Sequence, residues 1–232
     1  RGLARQHVLR GRHKGLGQQR ADGIAVGQQH GRALGRGPRE DVLAPDEADR
    51  KTFADFLRQK DTGLIKLMPE RNCGEKATVV SAAPDCAKYT MPGGGSSFSF
   101  RTGDYRIQHL ADLNYTGRSF RAFGVLTHGI FVNLGDVPLD GIDARTAGID
   151  FLAKFEPARD FKQAQEIALK LDAGIKDGSF VYRNLLPVAE NTTYALRSIA
   201  YQGSVVRSIQ GLTYNELDLD KRRDVTVVFR VV

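Results

Sequence analysis

The chain has 232 residues, a formal net charge of +7, two cysteines and no tryptophan. That length is enough to bury a proper core. No run approaches the roughly 20 apolar residues of a membrane helix, so no transmembrane segment is expected. The charge is uneven: residues 1–40 hold eight arginines and Lys14 against Asp22 and Glu40, a net of +7 that accounts for the whole excess. The same stretch has nine glycines, no Phe, Tyr or Trp, and Gly-Gln-Gln at both 17–19 and 27–29. Such a composition cannot offset its own ordering entropy, so residues 1–44 are expected to form a disordered Arg/Gly-rich tail. Clustered arginine would suit phosphate, but single-strand binders also use stacking aromatics, and nucleic acid therefore finds little support. A transit peptide would need an amphipathic helix, which the glycines oppose. The mixture also matches what a displaced start or a shifted reading frame yields in a GC-rich genome, and non-native coding sequence is the preferred reading.

One domain is expected over residues 45–232. It opens with a helix at "PDEADRKTFADFLRQ", with Asp46 as N-cap and Phe53, Phe56 and Leu57 on one face. Asp61-Thr62-Gly63 is the tripeptide of aspartic proteases, but those enzymes place it after an apolar strand and pair two carboxylates. Here it follows a polar helix end, and Gly63 reads as a helix stop.

Cys73 and Cys86 come next, thirteen positions apart. That spacing is not the C-x-x-C of a thiol oxidoreductase. No histidine lies between His30 and His109, so a zinc site lacks its further ligands. The strand-like Ala77-Thr78-Val79-Val80 and the turn-like Ala83-Pro84-Asp85 allow the chain to fold back, and a disulfide is expected. Closing such a loop stabilises by roughly 3 kcal/mol in the chain-entropy model. A disulfide in turn implies an oxidising compartment: periplasm, envelope or exterior. The chain shows no apolar signal-peptide core.

Further along, Gly93-Gly94-Gly95 reads as a loop, followed by strands over Ser97–Arg101 and Tyr105–Leu110. Thr127-His128-Gly129 reads as a tight turn between two apolar runs, and "IDFLAKFEP" as a strand. A helix is expected over 158–173, with Phe161, Ala164, Ile167, Ala168 and Leu171 on one face and Gly174 as its stop. "SFVYRNLLP", "TTYALRSIAYQG" and "DVTVVFRVV" complete the strands. The last is apolar on both faces, which suits a central position, and its end at residue 232 suggests a C-terminal truncation. Strands dominate without a βαβ rhythm, giving an α+β fold on a mostly antiparallel β-sheet with two or three short helices.

The chemistry is sparse. No P-loop, G-x-S-x-G or H-E-x-x-H occurs. His109 alternates with Tyr105 and Ile107 and is expected to face the core, whereas His128 is expected in solvent. A His109–Asp112 or His128–Asp136 pair would still need a serine for acyl transfer. No catalytic residue, metal or cofactor is assigned. Nearly every expected strand carries one arginine: Arg106, Arg121, Arg183, Arg197 and Arg230. Convergence of Arg121, Arg183, Arg197 and Arg230 would make a site for an anionic ligand or an acidic partner surface. Local pairing on a solvated sheet face is the preferred alternative.

The runs "FADFLRQKDTGLIKLMPER", "GDVPLDGI", "GIDFLAKFEP" and "TYALRSIAYQGS", with the closing "DKRRDVTVVFRVV", resemble a set of uncharacterised exported bacterial proteins. The likeness covers roughly residues 50–232. It implies export behind an N-terminal signal peptide and supplies no catalytic residue. The expected function is a non-enzymatic exported or envelope-associated domain with a structural or binding role. The alternatives are an exported hydrolase with an unrecognised site and nucleic-acid binding through the tail.

Overall fold

The computed structural model describes residues 5–9, 43–69, 95–122 and 124–232. In chain order the strands are β1 (Arg5–Leu9), β2 (Thr62–Ile65), β3 (Ser97–Ser99), β4 (Asp104–Tyr105), β5 (Leu113–Tyr115), β6 (Ser119–Arg121) and β7 (Thr127–Gly135). They continue with β8 (Ile175–Asp177), β9 (Phe180–Tyr182), β10 (Leu185–Pro187), β11 (Thr193–Ala200), β12 (Val206–Ile209), β13 (Leu212–Asn215) and β14 (Val225–Val231). The helices are α1 (Glu47–Thr52), α2 (Ala54–Leu57), α3 (Ile149–Lys154) and α4 (Phe161–Ala173). One five-stranded sheet runs β2-β1-β14-β11-β7 and a second runs β10-β6-β5-β3-β4; β8–β9 and β12–β13 are separate hairpins. Pairing is antiparallel except at β1, which lies parallel to both β14 and β2. The fold is α+β with mostly antiparallel sheet, as the strand rhythm predicts.

The sheets face each other across an aromatic core. Phe229, on the central β14, lies 5.4 Å edge-on to Phe120 and 5.6 Å from Tyr194, and 6.3 Å from Phe100. Phe120 from the second sheet also meets Tyr194 edge-on at 5.6 Å. Such contacts add about 0.5–1.5 kcal/mol per pair beyond the area they bury. The sheet margins are tied as well. On one side Phe131 N–H donates to Arg183 O at 2.7 Å, with the reciprocal bond at 3.1 Å. On the other, Tyr105 Oη donates to Lys66 O at 2.5 Å and Met68 N–H to Gly95 O at 2.8 Å. Where β7 crosses the end of β6, only glycine fits, because a Cβ on Gly129 would stand 2.1 Å from that of Ala122.

Several local expectations change. Within the expected tail, the five residues Arg5–Leu9 are described as a strand, an addition that the tail's composition does not announce. Gln6-His7-Val8-Leu9 is free of glycine, and the open backbone edges of β2 and β14 supply ladders that the arm alone cannot. The first helix breaks in two at Phe53, and the Asp46 carboxylate pairs with Lys66 instead of capping it. Asp61, at φ 60°, takes the left-handed stop, so Gly63 falls inside β2. Residues 149–154 are helical, where a strand is expected. Gly148 turns the chain at φ 87°, and Ile149 and Leu152 then bury at i, i+3 while Lys154 pairs with Asp150 at i, i+4. The helix expected at 158 starts at Phe161, because Asp160 caps it by accepting from Gln163 N–H at 2.8 Å. It ends at Gly174 as expected.

A buried ion cluster joins the two sheets. Arg101 follows β3 and is fully enclosed; its Nη2 lies 3.1 Å from Asp112 Oδ1 and 3.2 Å from Asp220 Oδ2. Asp112 accepts from Ser99 Oγ and Arg101 N–H, both at 3.1 Å. Arg222 donates to the same Asp220 oxygen at 2.8 Å. Its other nitrogens donate to Tyr201 O, Val125 O and Leu126 O, at the end of β11 and in the turn before β7. Two guanidinium groups thus balance two carboxylates in a site without solvent. Breaking such a group by removing one charge costs about 3–5 kcal/mol, because the remaining ions cannot be rehydrated. Asp220→Asn is therefore expected to lower unfolding free energy by about that amount in urea titration. The exposed Asp140→Asn should stay within about 0.5 kcal/mol of the parent.

Candidate functional site

The four candidate arginines do not form one site. Arg197 lies opposite Thr226, and Arg230 opposite Thr193, so these two share a face of the first sheet. Four residues separate them along the strands, about 13 Å. Arg197 Nη1 donates to Leu152 O at 2.5 Å and Phe155 O at 2.8 Å, and Nη2 pairs with Asp224 at 2.9 Å. Arg230 pairs with Asp136 at 2.5 Å and donates to Val137 O at 3.2 Å. Arg183 donates to Ala173 O, the last carbonyl of α4, at 2.8 Å. Arg121 belongs to the second sheet, between Asn114 and Leu185, and its buried Nε has no acceptor among the described residues. Three of the four are thus spent on local acids and on carbonyls, two of them at helix ends. This arrangement gives the anion-binding patch no support, and Arg183, Arg197 and Arg230 each act as a clamp on their own neighbourhood.

The histidines take different places from those expected. His128 is the second residue of β7 and is buried, not in a solvated turn. Its Nδ1 meets Tyr201 Oη at 2.8 Å, and that hydroxyl also accepts from Ala158 N–H at 3.0 Å. Burial pushes the His128 pKa down, opposed by a bond with the Ala164 backbone on α4. His109 sits in a 3-10 turn, Gln108–Leu110, with its side chain 43% exposed, where the alternation predicts a core-facing strand residue. Its Nε2 lies 2.6 Å from Glu216 Oε1, and Arg207 Nε donates to the other oxygen at 3.0 Å. The His109 ring beside it holds the Glu216 carboxyl below its usual pKa, and Arg207 adds to this against the effect of burial. Asp112 and Asp136, the acids considered as partners, belong instead to Arg101 and Arg230. Glu216 orients the His109 imidazole as a base would require, but among the described residues no serine or threonine hydroxyl bonds to either ring.

Glu216 is also the foot of a protruding hairpin. β12 and β13 turn through Gln210 and Gly211, at φ 51° and 82°, the two left-handed residues of a type I′ turn. Every residue from 206 to 213 is exposed. Val206, Ile209 and Leu212 are 64%, 58% and 76% exposed, and Leu219 in the following 3-10 turn (Glu216–Leu219) is 54% exposed. Glu216 N–H donates to Val205 O at 2.8 Å and Val205 N–H to Asn215 Oδ1, which fix the hairpin base. Among the described residues neither strand has another strand beside it. Sequence reading passed over this element, although apolar residues flanking a turn dipeptide with glycine were there to find it. Phe161 and Leu169 are also exposed, but lie eight residues apart on α4.

Cys73 and Cys86, with the run Ala77–Val80, lie outside the described residues. Among the described residues no helix is long and apolar enough to cross a membrane, and no three metal-type ligands cluster. Comparison with protein-family models, curated proteins and solved structures finds no match.

His128 carries a pH prediction. A buried neutral imidazole with a lowered folded pKa means that the unfolded chain binds more protons just below the ordinary value of 6.5. Stability is therefore complete above that value and falls as pH drops from it toward the folded pKa. Tyr201, with Asp224 and Arg197 acting on it, and the Ala158 and Ala164 backbone are the groups around the ring. Urea midpoints measured from pH 8 to 5 should decline for the parent, and His128→Gln should flatten that part of the decline.

Proposed function

We propose that this is a non-enzymatic exported or envelope-associated domain that acts by binding a partner, with the β12–β13 hairpin as its contact. One observation carries the reading: four apolar side chains more than half exposed, three on an isolated hairpin and one in the turn after it, held by an ion-paired foot. A lone two-stranded hairpin is marginal in water, so its display costs stability that binding would return. Export is supported by the cysteine spacing and by the resemblance to exported bacterial proteins. A photo-crosslinking residue at position 210 should give discrete adducts in the producing cell, and one at exposed position 140 should not. Equal labelling at both positions would overturn the reading.

The hydrolase alternative rests on His109, held by Glu216 and open to solvent. Turnover of short ester or amide probes that is lost in His109→Ala would favour it. As to compartment, peptide mapping of protein from an oxidising environment should recover a linked Cys73–Cys86 peptide. Full alkylation of both thiols without reductant would remove that support for export.

A further inference from the structure

We propose that the occupant of the hairpin is a second copy of this chain, added edge to edge along β12. This rests on the binding reading and names its partner. The phase of the hairpin is set by the bond from Glu216 N–H to Val205 O and by the Ile209–Leu212 pair at the two-residue turn. Alternation then turns the backbone groups of Arg207 and Ile209 inward, toward β13, and those of Val206 and Ser208 outward. β12 is exposed along its whole length, whereas β13 ends in the half-buried Tyr214 and Asn215, with the Asn215 side chain already holding Val205 and Leu217.

Free edges are normally guarded by lysine, proline, a bulge or an inward charge. None of these protects β12. Between Gln202 and Asn215 the one charged side chain is Arg207, and Glu216 neutralises it. An acidic or basic partner would find no countercharge here, while a second neutral hairpin meets no repulsion. Pairing Ser208 with Ser208 of the other copy about a two-fold axis makes a four-stranded sheet. On one side of it Ile209 of each copy then stands opposite Arg207 of the other, and the two Ile209 side chains lie diagonal to each other across the axis. Leu212 flanks each on the outer strands, a closed isologous contact.

Analytical ultracentrifugation of the full chain is the test. A reversible dimer is expected in the micromolar range, with Ile209→Lys weakening it at least tenfold because it sets a second cation opposite Arg207 of the other copy. Because the Ser208 N–H points outward, Ser208→Pro keeps the hairpin's internal ladder but blocks strand addition, so it should be monomeric. Thr213→Pro, on the other edge, should still dimerise, and circular dichroism checks that both variants fold. A parent that stays monomeric at every concentration reached overturns the proposal, as does a dimer that Ser208→Pro leaves intact. Flotation of a monomeric parent with phosphatidylcholine vesicles would instead assign the hairpin to a lipid surface. A crosslinked adduct at position 210 of other than twice the chain mass, together with a monomeric parent, retains the binding reading and rejects self-pairing. No adduct at all rejects both.

Discussion

A guanidinium that cannot reach water organises this molecule. Arg101 sits between the sheets with its charge met by Asp112 on one side and Asp220 on the other. Among the described residues its Nε and Nη1 meet no acceptor and its Nη2 makes ion-pair contacts without a well-aligned hydrogen bond, so the cluster is not an optimised source of stability. A well-packed apolar replacement of the whole group could match it or exceed it. What the cluster contributes is register. Asp112 precedes β5, Asp220 follows the second 3-10 turn, and Arg222 grips carbonyls at the ends of two further elements. A slip of any one of them would strand a buried charge at a cost of several kcal/mol. The aromatic core is indifferent to small sliding by comparison, since dispersion and area burial are not directional.

The other arginines repeat the device in milder form. Arg197 holds carbonyls at the end of α3, Arg183 the last carbonyl of α4, and Arg222 those at 125, 126 and 201. Helix C-termini leave carbonyls unmet, and a planar donor fork reaching from a neighbouring strand satisfies them while countering the dipole. This explains why one arginine per strand can recur without making a ligand site. The charges are distributed because the orphan carbonyls are distributed.

Periodicity made the framework legible. The apolar β7, β11 and β14, the helix ending at Gly174 and the antiparallel character all follow from alternation and from turn residues. It failed where a long-range partner decides. "IDFLAKFEP" has the apolar content of a strand, yet Gly148 and the i, i+3 pair Ile149/Leu152 make it a helix. Arg101 closes the strand expected over Ser97–Arg101, beside a Thr-Gly-Asp turn, and nothing local announces its second partner, Asp220, far along the chain. His128 reads as a turn residue because Thr127-His128-Gly129 contains glycine. That glycine serves a close crossing with Ala122, not a turn. The partners of both histidines were equally hidden, since His109 and Glu216 lie 107 residues apart in sequence and His128 and Tyr201 lie 73 apart.

That long-range pair gives the hairpin its mechanical character. A hairpin with no third strand would normally flex about its base. Here Arg207 on β12 and His109 on a separate turn close on the same carboxylate, so the base is braced against the body of the domain. Because Glu216 has its pKa lowered, its stabilising contribution is present above the usual 4.5 and is lost only as pH falls through the depressed folded value. The His128 site responds in the opposite order, weakening as soon as pH drops below 6.5. Mild acid therefore loosens the junction of β7, β11 and α4 while the brace under the hairpin still holds. The two sites thus respond to acid in sequence, the buried imidazole of β7 first and the carboxylate at the base of the hairpin second.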